Sequence, residues 1–551
     1  MNLANLGLSG LFAAQQRMQV AGHNLNNVDT EGYNRQTVLS QTAGAVGTSA
    51  GYIGRGVQAV TVQRSYDNFL YQQLVRSRTA GAALVSYGNE ISQLDNLFSD
   101  RTVGISPAIQ KFFEGIQAVA SAPADSAARQ ELLGRAESLA TQINDATAYM
   151  NRVSENINTQ LSTTVTQINS YLERINDVNN QIVRAKGTTP GHEPNDLLDQ
   201  REQLVAELSQ LVDVRTVEQN GRISVTTVGG QLLLGADKVY PLHAVKSAQD
   251  PERVVVAYTS SFDAQGQEVK SELRDTSLKG GTLGGLLQFR QESLDPTINS
   301  LGRLALGLAN SVNALHEQGI DLQGNPGKAF FSIGGPKVIG NANNSSSAQS
   351  PAVSISDVNQ LQGRDYRLEY DGTDYKLVDL TTGVQHAIDP SQPTVIDGVS
   401  IDVSGMTGGQ AGDSWLIQPT RNAGSSLAVE IKNPQDIAAA AAGTGTANGD
   451  IALKLAELQN QKVLGQGSLS LNDAYSQIVN RVAVQTQQNG SAAKAQAKLI
   501  QQNFAAQQSV SGVNQDEEYI KLERYQEQYR AASRLIDISS KMFDTLLALR
   551  A

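Results

Sequence analysis

From Leu3 onward, small and apolar residues recur alternately three and four positions apart, at Ala4, Gly7, Leu11, Ala14, Met18, Ala21, Leu25 and Val28. The same spacing returns near the other end at Leu522, Tyr525, Tyr529, Ala532, Ile536, Ser539, Phe543 and Leu546. Such alternation keeps those side chains on one stripe of an α-helix, so each end is an amphipathic helix with a coiled-coil-like seam. Two ends with one pattern pack on each other, which obliges the chain between them to leave and return to one place. Small residues at Ala4, Gly7, Ala14 and Ala21 allow close approach, while Gln15, Gln16, Gln19 and Asn24 make an outer face that is polar without charge. Leu535, Met542, Leu547 and Leu549 widen the second stripe beyond what one narrow helix covers, which implies partners beyond the first.

Inside this frame, short alternating segments at Tyr33 to Leu39 and Val57 to Val62 predict strands, and the Gly-, Ala- and Ser-rich stretch between them an adaptable loop. Helical periodicity resumes from Leu70 to Phe98, and again after Ser106 and Pro107, which read as an N-cap and first helical residue. The longest helical pattern runs from near Asp125 to about Arg184. Steps of four at Ile157, Leu161 and Val165 predict local unwinding or a break. A helix at Asn195 to Leu211 follows, then strands at Arg222 to Leu234 and Arg253 to Tyr258, then a helix from about Leu286 to Leu315. A second β-rich region spans roughly Pro351 to Pro419, with hairpin turns at Asp371-Gly372 and Asp397-Gly398. Its flanks, Asn341 to Ser350 and Arg421 to Ser426, are polar and turn-rich, as suits an insertion. Beyond Leu427 the pattern reads as helical again, through the alanine run at Ile437 to Ala442, Ile451 to Leu464 and Leu469 to Gln508.

The fold class expected is mainly α with β insertions: paired terminal helices, a long helical stalk and outward β-rich domains. Residues 1–60 with 510–551 form a terminal assembly domain, and 61–212 with 284–345 and 425–509 the stalk. Residues 213–283 form a small β-rich region, and 346–424 an inserted β domain.

Composition narrows the functions open to this architecture. The 551 residues include no cysteine, which excludes disulfides, thiolate nucleophiles and thiolate metal sites. A net charge of -11 with scattered Lys and Arg gives no footprint for nucleic acid. The longest apolar run, Ile437 to Ala442, is far short of the roughly 20 residues that span a bilayer, so no membrane insertion is expected. No cleavable secretory signal is legible at the start, and on composition alone the chain reads as cytosolic.

Nothing in the sequence supports catalysis, a metal or a cofactor. The histidines, at 23, 192, 243, 316 and 386, form no pair at metal-ligand spacing, and His316-Glu317 lacks the second histidine of a zincin helix. Gly324 to Lys328 looks like a phosphate loop only superficially, because Ala329 stands where Ser or Thr is required, and it reads as a turn. Trp415 alternates with Leu416 and reads as core, while sequons at Asn343 and Asn344 have meaning only in a glycosylating pathway. Glu517 and Glu518 fit the start of a helix.

Leu8, Ser9, Gly10, Leu11, then His23 to Asn27, then Thr30 to Gln36 resemble the N-terminal signature of flagellar rod, hook and hook-associated proteins. Asn195 to Arg201, Leu283 to Arg290, Ser511 to Tyr519 and the closing Phe543 to Leu547 resemble the hook-associated protein 1 family more narrowly. The stretch from 351 to 419 carries no matching motif. The resemblance implies a structural subunit that joins hook to filament as a self-associating ring, outside the cell, exported through the flagellar type III pathway without a cleaved signal. It implies as partners the hook protein, hook-associated protein 3 and an export chaperone. Leu11, Met18, Leu25, Leu522, Tyr529, Ile536, Phe543, Leu546 and Leu547 of the seams, with Asn27, Thr30, Gly32, Tyr33 and Arg35 of the signature, are the expected assembly interface. The alternatives are another axial protein of hook or distal rod, and an axial protein whose inserted β domain binds or catalyses separately.

Overall fold

The computed structural model describes residues 3–49, 51–99, 104–345 and 347–549. Ser346, which completes the second sequon, lies outside them. Helix α1 (Leu3–Asn26) leads into strands β1 (Gln36–Thr42), β2 (Ala45–Thr48), β3 (Gly51–Gly54) and β4 (Val57–Arg64). β1 and β4 pair antiparallel, and β2 and β3 form a second hairpin between them, so the expected loop is largely a strand pair.

The stalk is built from α2 (Asn68–Ser99), α3 (Ile105–Ser121), α4 (Ser126–Thr188), α5 (Asn195–Leu211), α6 (Gly281–Phe289) and α7 (Asp295–His316), with α6 and α7 joined by a π turn at Arg290–Leu294. After α8 (Ala423–Ser426) and α9 (Asp450–Glu457), α10 (Leu471–Ser511) runs back along α2, and α11 (Gln515–Ala548) returns to α1. Helix α4, at 63 residues, is about 95 Å long at 1.5 Å per residue. Its expected break is absent: Ile157, Leu161 and Val165 are all buried in one continuous helix. The cap of α3 is Gly104 rather than Ser106, which lies inside the first turn. Asp125 caps α4 as its carboxylate accepts from Ala127 N at 2.8 Å.

Two three-stranded antiparallel sheets occupy residues 214–272, with more strands than the alternation revealed. The inserted domain packs a five-stranded sheet on a three-stranded one. Its first strand, Lys337–Gly340, precedes the stretch where strands were expected and pairs with Ser414–Gln418. Asp397 (φ 49°) and Gly398 (φ 78°) make a two-residue turn with positive φ at both positions, the twist that suits a hairpin. Asp371-Gly372 opens a four-residue loop instead, in which the Asp371 carboxylate accepts from Thr373 N and Asp374 N. Trp415 lies buried in this domain's core. Among the described residues, no helix is long and apolar enough to cross a membrane.

The alanine run overturns its helical reading. Ala440–Ala441 pairs as a strand with Gly319–Ile320, and Ala438 to Ala440 are buried. Alanine favours helix, but tertiary contact overrides propensity where only a small side chain fits. A Cβ on Gly327 would meet Ala438 Cβ at 2.8 Å and His316 O at 2.0 Å. The Gly324 to Lys328 stretch is the expected turn, closed by Asp321 accepting from Asn325 N at 2.8 Å.

His316 holds this run in place. Its Nε2 accepts from Ala438 N at 2.8 Å, so Nδ1 carries the proton and donates to Lys328 O at 2.5 Å. Burial, with Arg129 nearby, lowers the imidazole pKa below its usual value despite the Lys328 carbonyl. A depressed folded-state pKa gives stability that is complete above about pH 6.5 and declines as pH falls through the folded value. Thermal unfolding at pH 7.5 and 5.5 should therefore show a loss on acidification that is smaller in His316→Gln. An equal loss in both proteins would exclude His316 as a source.

Candidate assembly interface

Helices α1 and α11 pack antiparallel: Gly7 lies beside Ala532 and Ile536, Arg17 donates to Gln528 Oε1 at 3.2 Å, and Asn24 reaches Glu518. A Cβ on Gly7 would sit 2.8 Å from Ile536 Cγ1 and 3.0 Å from Ala532 O, so the backbones approach as closely as glycine permits. Ala14, Ala21, Ala532 and Ser539 are buried along this seam, while Leu11, Met18, Leu25, Leu522 and Ile536 are half-buried at its margins. Tyr529 is exposed at the edge. Among the described residues, Phe543, Leu546 and Leu547 stay largely uncovered, at 60%, 64% and 54% exposure. With Gly7 beside Ile536, Leu3 falls opposite about residue 540 in an antiparallel pair. Residues 541–549 run on with every side chain exposed, Met542 and Leu549 among them.

The signature after α1 forms a corner that ties this pair to the stalk. Asn27 Nδ2 donates to His23 O at 3.0 Å, Thr30 Oγ1 donates to Asn27 Oδ1 at 3.2 Å, and Gly32 takes φ 81° against Gln203 of α5. Tyr33 OH donates to Asn24 Oδ1 at 2.7 Å. Burial, with Asp196, Asp199 and Glu518 nearby, pushes the Tyr33 phenol well above its usual range and keeps that proton in place. Arg35 N donates to Ser511 O at 2.9 Å, and its guanidinium lies 3.5 Å from Glu517.

The residues that close the corner were not singled out by the pattern. Asn24, expected on the solvated face, is buried. Its amide copies a strand partner for Gln36, accepting from Gln36 N and donating to Gln36 O, each at 2.9 Å, and it also donates to Glu518 Oε2 at 3.0 Å. Asp199 accepts from Asn34 N at 3.0 Å, Asn34 Nδ2 at 2.7 Å and Arg64 at 2.6 Å, while Glu202 accepts from Arg64 at 3.1 Å. Gln36 Nε2 donates to Asp196 Oδ1 at 2.7 Å, and Asn195 donates to Val62 O at 3.1 Å. Glu518 therefore does more than begin α11. The segments at 23–36, 195–201 and 511–519 are remote in sequence and meet here, and their resemblance to flagellar axial proteins, narrower for the last two, was the available signal. The fourth segment works elsewhere: Gly285, where a Cβ would lie 2.4 Å from Ala83 O, seats α6 on α2, and buried Arg290 donates to Val254 O at 2.8 Å.

Comparison with known proteins follows the same division. Residues 91–331 match the family described as flagellar hook-associated protein FlgK helical domain, and residues 2–34 match the flagella basal body rod protein family. Residues 339–419, which include the stretch from 351 to 419 where no motif was legible, match the D2-like domain of flagellar hook-associated protein 1. Flagellar hook-associated protein 1 of Salmonella typhimurium is 38% identical over 560 residues and that of Escherichia coli 33% over 556, each covering 100% of both chains. The solved structure of the flagellar hook junction protein FlgK from Burkholderia pseudomallei superposes with TM-score 0.73 at 30% identity, covering 80% of this chain and 100% of that one. With that identity over its whole length and that match in structure, this chain belongs to the flagellar hook-associated protein 1 family, structural proteins of the flagellar axis.

Proposed function

We propose that the chain is a non-enzymatic adaptor, a ring of self-associating subunits seated between hook and filament. The terminal pair lines the inside of the ring, the stalk makes lateral contacts and the β domains face outward. The hook protein lies below and hook-associated protein 3 above. The observation that carries this reading is the α11 seam continuing through Phe543, Leu546 and Leu547, which are more than half exposed among the described residues. An apolar stripe of this kind is a surface for a partner helix. Neighbouring subunits cover it in the ring, and an export chaperone covers it before secretion through the type III channel. The tight α1–α11 seam and the corner hold that stripe at a fixed direction from the stalk. Cells lacking the gene should build hooks without filaments, and the chain supplied from a plasmid should restore attachment. Filaments attached normally in the deletion strain would refute the reading.

A further inference from the structure

The inserted β domain meets α7 of the stalk at an apolar place and an ionic one, beside further contacts such as Asn359, whose O and Oδ1 accept from Gln466 N and Gly467 N at 2.8 Å. The first is apolar: Leu306 of α7 is part of the domain's own core, and a Cβ on Gly302 would lie 1.9 Å from Thr420 O, so the exit from the domain lies directly on α7. The second is ionic, seven residues earlier and therefore about 10 Å along the helix. Asp295, the first residue of α7, accepts from Arg421 at 3.0 Å and from the Arg253 guanidinium. Arg421 also donates to Asp365 Oδ2 at 2.9 and 2.7 Å, Asp365 Oδ1 accepts from Asn299 at 3.1 Å, and Arg253 lies 3.7 Å from Asp250. Charges thus alternate from Asp250 through Arg253, Asp295 and Arg421 to Asp365. They come from three units: the small sheets, the stalk and the inserted domain.

Burial alone would raise the Asp295 pKa. Arg253 and Arg421, with Arg290 beyond them, outweigh it and hold it at about 2, so the keystone stays ionised across ordinary pH. Arg421, expected in a loose polar flank, is a buried anchor of this chain of charges. A charged bridge about 10 Å along α7 from the apolar contact adds resistance to a change of tilt that the apolar contact alone would permit.

We infer that Asp295 is a positioning residue that sets the angle of the inserted β domain, by bridging Arg253 and Arg421 and so bracing the pivot at Gly302 and Leu306. The stalk with the small sheets has one hydrophobic core and the inserted domain another, so breaking the bridge widens the range of angles and leaves both folds in place. The domain then presents its outer surface over a range of directions.

The absence of cysteine makes the test direct, since spin labels attach only where cysteine is introduced. Glu137→Cys on the exposed face of α4 and Gln385→Cys on an edge strand of the inserted domain report the angle as a distance distribution by pulsed electron paramagnetic resonance. The parent should give one narrow distribution, and Asp295→Asn one about twice as wide with unchanged circular dichroism. Should Asp295→Asn fail to fold, Asp365→Asn and Arg421→Gln, which loosen the same bridge from the domain side, are read instead and should also widen it. An unchanged width in the folded variants would overturn the inference.

Discussion

Replacing Ala14 with Asp should abolish incorporation at the hook tip and leave the stalk folded. Ala14 is 1% exposed in the seam between α1 and α11, where Gly7 and Ala21 bring the helix backbones together. A carboxylate there loses its water and finds no room, a combination that costs about 3 kcal/mol or more. That is comparable to what a single helix pair contributes, so the terminal helices separate. The stalk has its own continuous core along α2 to α7 and α10 and does not depend on the pair. Gln15→Asp adds the same charge one position away on the exposed face and should change stability by no more than about 0.5 kcal/mol. Cells carrying each variant would be scored for attached filaments, and the purified proteins for the thermal transition of the stalk. Filaments at parental number with Ala14→Asp would show that the pair is not the assembly element.

The second large effect is expected at the corner. Asp199→Ala should loosen the joint between terminal pair and stalk by about 2–3 kcal/mol, because it leaves the Asn34 N–H without its acceptor and the Arg64 guanidinium with Glu202 as its remaining carboxylate. Removing Arg64 as well, in Asp199→Ala with Arg64→Met, should deepen the loss, since the buried Glu202 carboxylate then loses its partner too. Amide hydrogen exchange at residues 27–36 is the measurement: faster exchange in the single variant, and faster still in the double. Exchange as slow as in the parent would mean that the corner is held by other contacts, such as Asn24 with Gln36 and Glu518.

Both predictions depend on residues that the pattern named only in part. The spacing marked Gly7, Ala14 and Ala21 as places of close approach, and they are, whereas Leu11, Met18 and Leu25, taken as the interface, lie half-buried at the margins. Periodicity ranks positions by hydrophobicity, and a glycine or alanine scores low even when it sits deepest. The run from Ile437 to Ala442 misled in the opposite way, through local propensity, since so many alanines favour a helix in isolation.

What the sequence determined by itself was every long helix, the return of the chain to its starting point and the family. Each of these is written in local repetition or in contiguous motifs, which need no knowledge of distant contacts. Tertiary structure alone decided that Asn24 faces inward to Gln36 and Glu518, that Ala440 pairs with Ile320, and that Arg421 turns to Asp295. A polar or small side chain is compatible with solvent, turn or core. Only the partners that packing brings within about 3 Å determine which of these it becomes.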